Sequence, residues 1–257
     1  MKDVMIPIRG KEALQVMREA GARLGDVFLH LADFVRPGLT TLEIDSWVDA
    51  QLRRRSLISQ TKGYHGYRHV TCVSVNNVLV HGVPSRHVVV QPGDMVKVDV
   101  CAAWKGYCAD AARIFLVEPV SRQAFSLAKA AEAAFDAGVA KLAPGSRLYD
   151  VSSAIQSVIE DRGFGVVRDF CGHGIGRRMH EDPEIPNYGV AGSGPLLREG
   201  MAFAIEPMLT EKSFEVFVDA SDGWSVFTRD GGLTAHYENT VLLTANGPEV
   251  VTRIDSR

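Results

Sequence analysis

Cysteine is scarce: four residues in 257, at positions 72, 101, 108 and 171, with no CxxC pair among them. That excludes a disulfide-stapled scaffold and leaves a structural zinc knuckle unsupported; the four read as reduced cytosolic thiols. No window of about 18 apolar residues occurs, so no membrane span is expected. The opening Met1-Lys2-Asp3-Val4-Met5-Ile6-Pro7 has no apolar core of signal-peptide length, and a cytoplasmic location is expected. Basic charge is also short. The net charge is −3, and the run Arg53-Arg54-Arg55 reads as the solvated end of a helix, which argues against a bulk nucleic-acid binder. Low-complexity segments and linkers are absent too, so one domain over 1–257 is expected.

What the chain does have is acid in the wrong places. Asp99 lies in Met95-Val96-Lys97-Val98-Asp99-Val100, and Glu206 ends Met201-Ala202-Phe203-Ala204-Ile205. Glu238 precedes Asn239-Thr240-Val241-Leu242-Leu243. A free carboxylate is expensive to bury in such apolar strands. No Lys or Arg cluster is interleaved to neutralise them. Asp99 and Asp110 flank Ala103-Trp104-Lys105-Gly106, which reads as a hairpin turn. A turn centred between Trp104 and Lys105 puts the two aspartates directly opposite each other, a repulsive pair unless cations bridge it. With His173, the set Asp99, Asp110, Glu206 and Glu238 suits two divalent first-row ions.

The helical pattern carries a second message. Leu14, Met17, Gly21, Leu24, Phe28, Leu31 and Val35 recur at steps of three and four, which predicts an amphipathic helix stopped by Arg36-Pro37-Gly38. Thr40-Thr41-Leu42-Glu43 reads as a capping box opening a second helix through about Arg55. An Ala-rich helix over 121–142 is stopped by Pro144-Gly145, and a further helix runs to about Asp161. An offset of 107 carries Pro37-Gly38 to Pro144-Gly145, Glu43-Ile44 to Asp150-Val151, Gly93 to Gly200 and Asp99 to Glu206. The expected unit is therefore two helices followed by antiparallel strands, duplicated, with halves at about 10–118 and 119–250. Cys171-Gly172-His173-Gly174-Ile175-Gly176 is a glycine-rich turn able to aim one imidazole inward. It matches neither GxGxxG nor a phosphate-binding loop ending Gly-Lys-Ser/Thr.

These residues, with Gly63-Tyr64-His65-Gly66-Tyr67, Val80-His81-Gly82-Val83-Pro84, Ile205-Glu206-Pro207-Met208, Asp222-Gly223-Trp224 and Tyr237-Glu238-Asn239-Thr240, carry a resemblance to the type I methionine aminopeptidases, in their short bacterial form. The match runs from about residue 10 to residue 250. The resemblance implies an α+β pita-bread fold and removal of an N-terminal initiator methionine when the second residue is small. It implies two divalent ions (manganese, iron, cobalt or zinc), with Asp99 chelating one ion, Asp110 and Glu238 bridging, and His173 and Glu206 completing the other. It also implies a monovalent cation, sodium or potassium, near Asn76, Val78 and Thr234. Glu206 resembles a proton shuttle, His81 the residue near the peptide nitrogen, and His180 the donor to the carbonyl oxygen. Tyr67, Cys72, Met179 and Trp224 resemble the side-chain pocket, with Tyr64 and His65 at its rim. The partners implied are a peptide or nascent chain beginning with Met and the ribosome, with a monomeric enzyme.

Several positions depart from the pattern: Thr61, Cys101, Ala111, Met179, His236 and Asn239 stand where relatives commonly have Cys, Thr, Thr, Phe, Gln and His. None deletes an expected ligand; they put metal preference and rate in question. Other readings stay open. An Xaa-Pro aminopeptidase or prolidase shares the fold. So do creatinase-like hydrolases, which use no metal, and a non-catalytic ribosome-associated binding protein.

Overall fold

The computed structural model describes residues 6–253. Helix α1 spans Lys11–Phe34 and α2 Thr41–Arg54. Thr40 and Glu43 close the capping box reciprocally, as the sequence predicts. Strands β1 (Ile58–Ser59), β2 (Cys72–Val75), β3 (Met95–Trp104) and β4 (Tyr107–Leu116) follow. Helices α3 (Arg122–Val139) and α4 (Leu148–Asp161) open the next stretch of chain. After them come β5 (Gly165–Val166), β6 (Cys171–Gly174), β7 (Glu181–Pro186), β8 (Ala202–Ile205) and β9 (Met208–Thr210). The last strands are β10 (Val216–Val218), β11 (Val226–Thr228), β12 (Thr234–His236), β13 (Glu238–Thr244) and β14 (Gly247–Val250).

The 107-residue repeat is visible in the backbone. Adding it to the bounds of α2 gives the bounds of α4. Gly38 and Gly145 both adopt positive φ (88° and 91°), as do Gly93 and Gly200 (97° and 89°), so each pair makes the same turn.

The main sheet is antiparallel, ordered β1-β3-β4-β13-β8-β6-β7, with β2 added on β3 and β14 on β13. Strand alternation divides its residues between two destinations. On β3 and β4, Val96, Val98, Val100, Ala109 and Ala111 pack in a core with Leu24, Phe28 and Leu31 of α1 and Ile44 and Val48 of α2. On β8 and β13, Phe203, Ile205, Val241 and Leu243 pack with Leu127 and Phe135 of α3 and Ile155 of α4. The other face therefore carries Asp99, Asp110 and Glu238, and its Cys101, Ala103 and Cys108 meet Leu14 and Met17 at the start of α1. Two cores thus support one shared floor.

One expectation fails here. Asp99 does not oppose Asp110: it pairs with Ala112, and Asp110 pairs with Cys101. The hairpin loop is Lys105-Gly106, with Trp104 paired to Tyr107 and both loop residues at positive φ (46° and 76°). That is the backbone of a two-residue turn whose twist matches the strands, and its Gly belongs inside the loop rather than at its end. The register moves by two, so the aspartates keep the same face but sit diagonally.

Candidate metal centre and substrate cavity

The acidic face forms the floor of a cavity of about 610 Å³. Asp99, Asp110, His173, Glu206 and Glu238 all border it, as do His81, His180, Tyr64, Tyr67, Cys72, Met179 and Trp224. His65 does not line it; its ring sits against that of Tyr64, 4.4 Å between centroids.

Strand pairing brings the acids together. Glu238, the first residue of β13, pairs with Ala112, next-but-one to Asp110. His173 pairs with Ala204 on β8, next-but-one to Glu206. A Cβ on Gly172 would stand 2.5 Å from the Ala204 carbonyl, and one on Gly174 would strike the Asp182 carbonyl. The glycines flanking His173 therefore permit this close strand approach. His173 Nδ1 lies 3.0 Å from the Gly174 carbonyl, so it carries the proton and leaves the Nε2 lone pair free. That Nε2 is 3.5 Å from Glu206 Oε1 and 4.0 Å from Asp110 Oδ2.

Two donor groups result, Asp110–His173–Glu238 and Glu206–His236–Glu238, each with ligand atoms within 4.8 Å of one another. Asp99 belongs to neither and stands beside Asp110. Burial pushes the carboxyls up, with repulsion from neighbouring acids adding for all but Glu206: Asp110 to about 7, and Asp99, Glu206 and Glu238 well above the usual range. Burial pushes His173 down to about 3, and His81 and His236 to about 4, so all three are neutral at pH 7. Asp110 Oδ1 and Glu238 Oε1 are buried with no hydrogen-bond partner among the described residues. Buried orphan oxygens of this kind, beside a free imidazole lone pair, fit cations.

The rim is built to hold rings still. Asp222 accepts from the Trp224 and Ser225 amides and from the Ser225 hydroxyl, fixing the turn that presents Trp224. The Trp224 ring meets Tyr67 edge-on at 5.0 Å. Tyr67 donates its hydroxyl to the Thr71 carbonyl at 3.0 Å. The Tyr64 hydroxyl lies 2.8 Å from His180 Nδ1. With the phenol donating there, the His180 proton sits on Nε2; with the phenol accepting, it sits on Nδ1.

Sequence reasoning passed over four residues. His236 Nε2 lies 3.2 Å from Glu206 Oε2 and 3.9 Å from Glu238 Oε2. Its signal was its place two residues before Glu238, although the structure puts it at the end of β12 and Glu238 at the start of β13. Phe170 lines the cavity and meets the His81 ring edge-on at 5.6 Å. Two cations also stand nearby, half-buried Arg113 and buried Lys97, each bonded to uncharged oxygens. Arg113 donates to the Glu238 carbonyl at 2.6 Å and to Asn239 Oδ1 at 2.6 Å, which gives the departure at Asn239 a structural partner. Lys97, 1% exposed, donates to the carbonyls of Asn76 (2.8 Å) and Thr234 (3.1 Å). Asn76, Val78 and Thr234 do converge, but it is this side chain that stands between Asn76 and Thr234, where a monovalent ion was expected.

The carboxylates and histidines thus cluster on the floor of the cavity, on an antiparallel scaffold, in an arrangement that suits a metal-dependent hydrolase. The chain belongs to metallopeptidase family M24, whose profile matches residues 15–245. It is 44% identical to a methionine aminopeptidase of Clostridium acetobutylicum over 96% of this chain and 99% of the relative. The crystal structure of a methionine aminopeptidase from Thermotoga maritima superposes with a TM-score of 0.95 at 39% identity, covering 97% of this chain and all of that one. A prolidase of Pyrococcus furiosus, at 22% identity and TM-score 0.77, shares the fold over 97% of this chain and 66% of its own. The fold is the pita-bread fold, as expected. Divalent metal is the cofactor class that the family and the donor groups support together.

Proposed function

We propose that the chain is a metal-dependent methionine aminopeptidase, cleaving the first peptide bond of chains that begin with Met and a small second residue. The observation that carries this reading is the orphaned, buried carboxylate cluster opening onto an aromatic- and sulfur-lined cavity, in a chain this similar to methionine aminopeptidases. Prolidase and Xaa-Pro aminopeptidase activity have only fold-level likeness behind them. A metal-free binding protein would have no use for four buried carboxylates.

Asp99, Asp110, His173, Glu206 and Glu238 would hold two divalent ions, of manganese, iron, cobalt or zinc, and His236 stands beside two of these groups. When bound, the ions supply Lewis-acid activation of water and of the scissile carbonyl. The protein residues do the rest. A Glu206 carboxylate oxygen accepts the proton of the attacking water and returns it to the leaving amine. His180 Nε2–H, held by Tyr64, donates to the carbonyl oxygen as negative charge develops there. Neutral His81 faces the peptide nitrogen. Tyr67, Cys72, Met179 and Trp224 surround the methionine side chain, where aromatic and sulfur surfaces make favourable contacts with a thioether.

The test is a comparison of peptides with metal-supplemented enzyme. Met-Ala-Ser is expected to be cleaved well, Met-Lys-Ser poorly and Ala-Pro peptides not at all. Equal rates on Met-Ala-Ser and Met-Lys-Ser would remove the small-residue rule, and preference for Ala-Pro would overturn the reading.

Metal uptake is expected to expel protons. Asp110, pushed up to about 7, is largely protonated below that pH in the metal-free protein, and metal needs the carboxylate. His173 is already neutral and releases none. Apparent affinity for divalent metal should therefore rise as pH rises through about 7. Calorimetry in buffers of different ionisation enthalpy reads the proton count; affinity flat or falling from about pH 6 to 8 would contradict it.

A further inference from the structure

Lys97 is among the largest fully buried side chains of the protein, and its contacts are unusual for a lysine. Its Nζ meets three uncharged oxygens: the Asn76 carbonyl at 2.8 Å, the Thr234 carbonyl at 3.1 Å and Thr234 Oγ1 at 2.8 Å. The Thr234 hydroxyl in turn lies 2.8 Å from the Asn76 carbonyl and 3.0 Å from that of Val78, where its single proton goes. Thr234 Oγ1 is thus an acceptor toward Lys97. Burial pushes the Lys97 amine down to about 7, but the geometry favours the charged form: three acceptors match the three protons of an ammonium, which fills the donor set.

The surrounding backbone explains why oxygens gather there. Asn76 sits at positive φ (51°), with its side chain clamped between Asp94 and the Met95 amide. Its carbonyl also accepts from the Thr234 amide. These turns point several carbonyls at one buried spot, which is unfavourable without a positive charge between them. Position matters as much as charge. Lys97 lies two residues before Asp99 on the same face of β3, and Thr234 two residues before His236 on β12. Among the described residues no strand ladder joins β3 to β12, whose paired neighbour is β9. The ammonium therefore ties together two strands that meet at the acidic floor from different sheets.

We propose that Lys97 is a tethered cation: its ammonium fills a carbonyl-lined site suited to sodium or potassium and so positions the strands bearing Asp99 and His236 without a free monovalent ion. Lys97 does not line the cavity and acts as a positioning residue. The part of the inference concerning Asp99 and His236 rests on the metal-centre reading above; the occupancy of the site does not.

The test compares wild type, Lys97→Ala and Lys97→Met at equal ionic strength in potassium, sodium or choline chloride, choline being too bulky to enter. Melting of metal-stripped protein is measured first, because it does not depend on the divalent site. Wild type should melt alike in all three salts. Lys97→Ala opens the oxygen cage and should melt higher in potassium or sodium than in choline, by about 3 °C or more. Lys97→Met fills the space with apolar atoms and should be destabilised in every salt alike. Divalent-metal affinity, read by calorimetry, should fall about 10- to 100-fold for Lys97→Ala in choline and recover in potassium or sodium. Lys97→Ala that is soluble only with sodium or potassium counts for the proposal. A variant insoluble in every salt, one indifferent to the cation, or a wild type that itself needs sodium or potassium overturns it. Cation-dependent melting without any change in divalent affinity would keep the tethered cation and remove its link to the metal centre.

Discussion

Glu238→Ala is expected to abolish peptide cleavage and to cost the protein much of its bound divalent metal. Glu238 is the one residue common to both donor groups, with His173 and Asp110 on one side and Glu206 and His236 on the other. Its Oε1 is buried with no hydrogen-bond partner among the described residues, and its Oε2 stands 3.9 Å from His236 Nε2. If Glu238 is shared by two ions as proposed, its loss would remove a ligand from each, where a terminal ligand would serve one. The backbone should tolerate the change, since Glu238 pairs through its main chain with Ala112 and opens a well-packed strand. Removing an acid that burial holds far above its usual range also relieves strain in the metal-free state. The variant should therefore melt no lower than wild type when both are stripped of metal. Metal content by elemental analysis and turnover of Met-Ala-Ser decide it. Near-normal activity in a metal-quantified sample would refute the bridging role.

His180→Ala is expected to lower kcat by about two to three orders of magnitude, the size found when an oxyanion donor is removed, with metal content unchanged. His180 borders the cavity, and its ring stacks edge-on against His173 at 4.4 Å, close to the floor yet outside both donor groups. Burial lowers its pKa, which favours the neutral ring, and Tyr64 lies against Nδ1, so the proposed role needs Nε2–H as the donor. The effect should fall on kcat rather than KM, because the hydrogen bond strengthens only as charge develops on the carbonyl oxygen. A fall in metal content would place His180 among the ligands instead. Tyr64→Phe offers a graded companion, since it removes only the hydroxyl that sets the tautomer.

Much of the architecture could be read without coordinates, because its determinants are local. The capping box at Thr40 and Glu43 and the Pro-Gly stops need only neighbouring residues, and they recur at one offset. Alternation along β3 and β13 assigns Asp99 and Glu238 to the face opposite the valines of the core, whatever those strands pair with. Carboxylates in such runs announce a cluster needing positive charge before any partner is known.

The tertiary structure decided register and company. The Lys105-Gly106 turn set the β3–β4 pairing, and a shift of two residues separates facing aspartates from diagonal ones while leaving the hydrophobic pattern untouched. Alternation has period two, so it cannot tell these registers apart. His236 became a neighbour of Glu206, and Lys97 of Thr234, through approaches across 30 and 137 positions of chain. The first pair forms within the second half of the chain and the second between the halves, and no local pattern encodes either approach.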